Sequence, residues 1–133
     1  MTRPAAATRL SAAERVERFD VVIGAIDWLL ANPDKMARLT LARNQQGQKV
    51  KPTDPDACSW CLTGRIARDL NYPLGLTAQQ FYNEITRYLD PIGLSSGALM
   101  SANDTHPDTL PELRQRLDKT RSIWVHRQEM EDA

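Results

Sequence analysis

Surplus charge is the first thing this chain lacks: Lys and Arg total 17, Asp and Glu also total 17, and the formal net charge is zero. That removes any global electrostatic case for binding nucleic acid or an anionic membrane. Aromatic residues are scarce, at 6%, and the apolar runs are short. None approaches the length needed to cross a bilayer, and the N-terminal residues lack the apolar core of a signal peptide. A cytoplasmic location is therefore expected. Cysteine and histidine number two each. Cys58 and Cys61 share one short segment, which is not the framework of a disulfide-stapled secreted domain. A zinc site needs about four ligands, and His106 and His126 are not spaced as a finger. Neither a metal nor another cofactor is expected.

What is present suits one domain. The chain has 133 residues, enough for a real core but not comfortably for two. Met1 to Leu10 is rich in Ala, Thr and Arg without apolar period and reads as a disordered tail. Ser11 to Glu14 has the form of a capping box. Val16, Phe19, Ile23, Ile26 and Leu30 then recur at helical spacing, widened by Val22 and Leu29, until Asn32-Pro33 stops the helix. Trp28 lies off that stripe. Residues 38–51 alternate on either side of Asn44-Gln45-Gln46-Gly47-Gln48, which predicts a small β-hairpin. A helix over 34–43 is the competing reading.

Asp54 to Leu70 predicts the organising element, a central buried helix. Asp54 would be its N-cap, Pro55 its first residue, and Asp56 would sit favourably at the positive end of its dipole. At 100° per residue, Cys58, Leu62, Ile66 and Leu70 form one apolar stripe, and Ala57, Trp60, Cys61, Gly64 and Ala67 a second. Gly64 lowers helix propensity by about 1 kcal/mol against alanine, which close approach of another helix would explain. Further capping boxes begin at Thr77 and Thr109. The first leads a stripe of Ala78, Phe81, Tyr82, Ile85, Tyr88 and Leu89. The second opens a last helix marked by Leu110, Leu113, Leu117 and Trp124, with Arg114, Arg116, Arg121 and Arg127 on its exposed side. A short helix is expected around Ser96 to Met100, then a polar Asx-turn at Asn103-Asp104. The acidic tail 129–133 is expected to fray. The sum is a mainly α single domain over 11–128, with about four helices around residues 54–70 and a small hairpin near 38–51.

The chemistry-bearing motifs have plain structural readings. Cys58-Ser59-Trp60-Cys61 matches C-x-x-C, but a redox site wants its first cysteine at a helix N-terminus. In the predicted helix Cys58 is already a turn inside, so two buried structural thiols are expected. Cys61, Asp104 and His106 have the residue types of a nucleophile, an orienting group and a base. They could serve a cysteine-dependent enzyme or line a small-ligand pocket with Gly64 and Asn103. The arginine face of the last helix could grip phosphates weakly, but Glu112 and Asp118 share it, and Arg114 and Asp118 are spaced to pair with each other. With no phosphate loop and no specified acid/base constellation, a non-enzymatic protein-interaction module is the favoured reading. Trp28, Arg43, Arg114 and Arg121 are its candidate contacts, because Trp and Arg dominate interface hot spots.

Several motifs in order resemble a domain family of unknown function found in bacteria and phages. They are Ala42-Arg43, Gly47, Asp54-Pro55-Asp56-Ala57, Trp60-Cys61 with Gly64 in a W-C-x-x-G pattern, Asn103-Asp104, and Thr109. The resemblance spans about Phe19 to Trp124. Ala102 stands where that family tends to carry tryptophan before N-D, and the family asks for no cysteine at position 58. The resemblance implies an accessory protein of a phage or mobile element that binds host or defence machinery.

Overall fold

The structure, a computed structural model, describes residues 10–132. The expected disordered tail falls almost wholly outside them. Helix α1 spans Ala12–Ala31. The Ser11 hydroxyl accepts the Glu14 N–H at 3.1 Å, and the Glu14 carboxylate accepts the Ser11 N–H at 3.1 Å, completing the capping box. Phe19, Val22, Ile23, Ile26 and Leu29 face the core, whereas Leu30 turns to solvent at 40% exposure. The Asn32 side chain donates to the Trp28 carbonyl at 2.9 Å, closing the helix before a short 3-10 turn at Pro33–Lys35.

The hairpin forms as β1 (Ala42–Arg43) and β2 (Lys49–Val50), paired antiparallel with Ala42 opposite Val50. Its turn is organised by Asn44, whose side-chain oxygen accepts the N–H groups of Gln46 and Gln48 at 3.0 Å each. Gly47 supplies the left-handed residue there, at φ 77°. A third strand, β3 (Ser59–Trp60), pairs with the other edge of β1, giving the order β2-β1-β3.

That strand corrects the sequence reading of residues 54–70. Helix α2 spans only Leu62–Asp69. Asp54 caps a turn rather than a helix, its carboxylate accepting the Asp56 N–H at 2.8 Å. The Cys58 N–H then donates to the Arg43 carbonyl at 2.9 Å and the Cys61 N–H to the Leu41 carbonyl at 3.1 Å. These ladder bonds satisfy backbone groups that a helix would have used internally. The shortened helix is still the most buried element, with Leu62 through Ala67 all buried.

Helix α3 (Ala78–Leu89) keeps its expected capping box, Thr77 with Gln80, and buries Phe81, Ile85 and Leu89. Helix α4 spans Ser96–Asp104. Asn103 and Asp104 are therefore its last turn and not a connecting Asx-turn. Helix α5 spans Leu110–Asp132, four residues into the stretch expected to fray. The capping box expected at Thr109 does not form. Thr109 belongs to a 3-10 turn, Pro107–Thr109, and its hydroxyl donates to the His106 carbonyl at 2.6 Å. Helix α5 lies antiparallel on α1, with Arg114 at Asp27, Arg121 at Asp20 and Trp124 under Arg15. The fold is a mainly α single domain of five helices with one small antiparallel sheet among the described residues.

Candidate functional site

Cys61 is the N-cap of α2. Its sulfur accepts the Gly64 N–H at 3.2 Å and lies 3.1 Å from the Thr63 hydroxyl. A helix N-terminus normally lowers a thiol pKa. Here desolvation by burial outweighs the hydrogen bonds from Thr63 and Gly64 and pushes the Cys61 thiol up, with nearby Asp104 adding to the rise. The geometry holds a protonated thiol as a cap, the reverse of an activated nucleophile. His106 is exposed, and no hydrogen bond joins its ring to Cys61 or Asp104 among the described residues. Cys58 is a free, half-buried thiol before β3. Among the described residues no three or more of His, Cys, Asp and Glu gather as a metal set.

Asn103 is fully buried, and its side chain ties three separate segments together. Its carbonyl oxygen accepts the Leu62 N–H at 3.0 Å. Its amide donates to the Ala37 carbonyl at 2.9 Å and to the Asp104 carboxylate at 2.8 Å. The Leu62 N–H is one of the orphan donors that begin α2, so Asn103 and Cys61 cap the same helix from two sides. The Asp104 carboxylate also accepts the Leu39 N–H at 3.3 Å. Gly64 meets the backbone of Leu41, just before β1, rather than a helix. A Cβ built on it would stand 2.7 Å from the Leu41 carbonyl carbon and overlap the carbonyl oxygen.

Leu39 is held at φ 63° and is 78% exposed. A leucine in the left-handed region is sterically disfavoured by roughly 1–2 kcal/mol, and an exposed one has no core burial to offset that. It stands at the mouth of a groove of about 400 Å³ between β2 and the start of α3. Leu41, Val50, Ala78, Phe81 and Tyr82 give the groove an apolar lining, and Lys49 and Lys51 are its only charged lining residues. Burial raises the Tyr82 hydroxyl pKa, with Cys61 and Asp104 nearby adding to the rise, which sets Tyr82 between the groove and the Asn103 tie. A neighbouring hollow of about 410 Å³ beside the hairpin turn is polar instead, lined by Asn44, Gln45, Gln46 and Asp56.

The remaining candidates are occupied within the fold. Trp28 packs edge-to-face on Trp60, with centroids 5.3 Å apart and planes at 83°. The Arg65 guanidinium lies 3.9 Å from the Trp28 ring centroid. Trp60 is buried, and its indole N–H donates to the Pro52 carbonyl at 2.9 Å. Arg43 donates back into its own hairpin, to the carbonyls of Gly47 and Arg38 at 2.9 and 3.3 Å. Arg114 forms a two-pronged pair with Asp27 at 2.7 and 3.3 Å, rather than pairing with Asp118, and Arg121 grips Asp20.

Sequence reasoning placed Lys49 in the hairpin and Ala78 on a helical stripe, but missed Leu39 and the groove as a unit. One signal was present. From Lys35 through Thr53 the chain carries Lys35, Arg38, Arg43, Lys49 and Lys51 and no carboxylate, a local basic block inside a neutral chain. Compared with known proteins, the chain matches no family model, no curated protein and no solved structure.

Proposed function

We propose that this chain is a non-enzymatic protein-interaction module whose contact surface is the groove between β2 and α3. The observation that carries this reading is an apolar groove with a strained, exposed leucine at its mouth. Backbone strain persists only where the surroundings hold it and clusters at ligand clamps and active sites, and an apolar concavity with few polar groups is the usual form of a binding site. The thiol at Cys61 supports the same view, because its environment favours the protonated form. In the setting implied by the resemblance to phage and bacterial domains, the partner belongs to host or defence machinery.

The test is affinity capture from bacterial lysate read by mass spectrometry with three proteins. Ala78 is exposed at the first turn of α3 and lines the groove, so Ala78→Trp fills the groove without touching the core. Proteins retained by wild type and by Cys61→Ser, but lost from Ala78→Trp, are the expected result. A folded Cys61→Ser protein that loses its partners, while Ala78→Trp keeps them, would falsify the reading.

A further inference from the structure

We infer, resting on that reading of the groove, that its occupant is an extended segment of a partner protein. The segment adds to β2 as a further strand and alternates apolar with acidic side chains. The first support is the free edge. In the order β2-β1-β3, the outer side of β3 is covered by the Met36 bridge to Trp60 and the Ala37 N–H donated to the Trp60 carbonyl at 2.9 Å. Among the described residues no backbone hydrogen bond covers the outer side of β2 at Lys49. The Asn44 N–H donates to the Gln48 carbonyl at 3.0 Å, which fixes the phase of the ladder. Backbone groups alternate in direction along a strand, so those of Lys49 turn outward, to the open edge. An unpaired edge beside an apolar groove is the arrangement that captures extended peptides. Main-chain bonds give affinity, and alternate side chains enter the groove.

Charge selects the partner. Lys49 takes part in no ion pair among the described residues, and Lys51 uses one donor on the Leu74 carbonyl, leaving others available. Asp104, at the margin, is engaged by Leu39 and Asn103. A second copy of this chain is a poor occupant, since antiparallel β2–β2 pairing would set lysines against lysines. Single-stranded nucleic acid is also disfavoured. Binding it without sequence preference uses exposed aromatic platforms, and of the two aromatic residues lining the groove Phe81 is buried and Tyr82 half-buried.

The experiment is selection from a random-peptide display library on the immobilised full chain, followed by fluorescence polarisation with a selected peptide. Peptides alternating β-branched or aromatic residues with Asp or Glu should be enriched. Lys49→Glu should weaken a selected acidic peptide by about tenfold and, in a fresh selection, shift enrichment to Lys and Arg. Lys49→Pro removes the outward N–H without breaking a β1–β2 bond and should also weaken binding. Enriched peptides with no acidic preference, or indifferent to both Lys49 variants, overturn this proposal. The groove reading then stands as long as Ala78→Trp abolishes their binding. Displacement of the peptide by a single-stranded oligonucleotide, or a dimer in sedimentation that Lys49→Glu alters, also overturns it. A library that yields no groove-dependent peptide overturns both readings.

Discussion

Asn103 carries more of this fold than its residue type announces. A buried side-chain amide that satisfies two backbone groups leaves both unpaired when removed, at about 1–3 kcal/mol for each group. Asn103→Ala should therefore cost about 2–4 kcal/mol in urea unfolding. Asn103→Asp should be no rescue, because a carboxylate cannot donate to the Ala37 carbonyl and would face Asp104. Leu39 predicts the opposite sign. Leu39→Asn relieves a left-handed leucine, since asparagine tolerates that region. It should raise the urea midpoint slightly while weakening partner capture, and weakened capture without a gain in stability would remove strain from the account. For Cys61, burial holds the folded pKa above the unfolded one. Its contribution is then full below about pH 8.5 and lost as pH rises through the folded value. Cys61→Ser should flatten that alkaline loss and keep the cap, since serine is a favoured N-cap. Neither Leu39 nor Asn103 was legible in its role. Leucine gives no local sign of a positive φ, and N-D at a helix end reads as a turn until its distant partners are known.

Among the elements, the misread stretch is instructive. Ala57, Trp60 and Cys61 fit a 100° period, and a short apolar run fits a buried strand equally well. Two things hid the true start of α2: cysteine is not among the preferred N-caps, and Asp54-Pro55 imitates a helix start while making a turn. Helices α1 and α3 were legible because capping box and apolar period agreed there. Gly64 was legible as a close approach, but the approaching backbone is Leu41, the residue before β1. Even Gly64→Ala should be destabilising, by about 1–3 kcal/mol, seen as a lower Tm. A tolerated alanine would mean that α2 can move away from the sheet. At Thr109 the box pattern was right in letters and wrong in structure, because Pro107 and the His106 carbonyl build a 3-10 turn first.

The whole molecule is neutral by sum and divided in space. Its acids on α1 meet the arginines of α5, while the hairpin holds cations without acids. The first pairing is exposed, so it adds little to stability and less in salt. Arg114→Ala combined with Arg121→Ala should move Tm little and leave partner capture within a few-fold, whereas capture through the hairpin should weaken as salt rises. Capture that vanishes in the double variant would move the contact surface to α5. The groove could not be read from sequence because it is assembled from residues 39–41, 49–51 and 78–82. No single window holds its pattern. Its hairpin and its Phe81–Tyr82 wall were read separately, and the basic block was the one sign that joined residues of the groove.

The meeting of Trp28 and Trp60 also makes the protein its own optical gauge. Two indoles 5.3 Å apart and nearly perpendicular are close enough for their transitions to couple as one exciton pair, and the cation of Arg65 lies over both, 3.9 and 5.0 Å from their centroids. One indole belongs to the long first helix and the other to the sheet. Trp124, flanked by Arg15 and Arg127, stands apart as an internal reference. Any event that lifts the sheet from the helix should quench the circular-dichroism couplet while the Trp124 emission holds, so that separation of the sheet from α1 can be watched without a label.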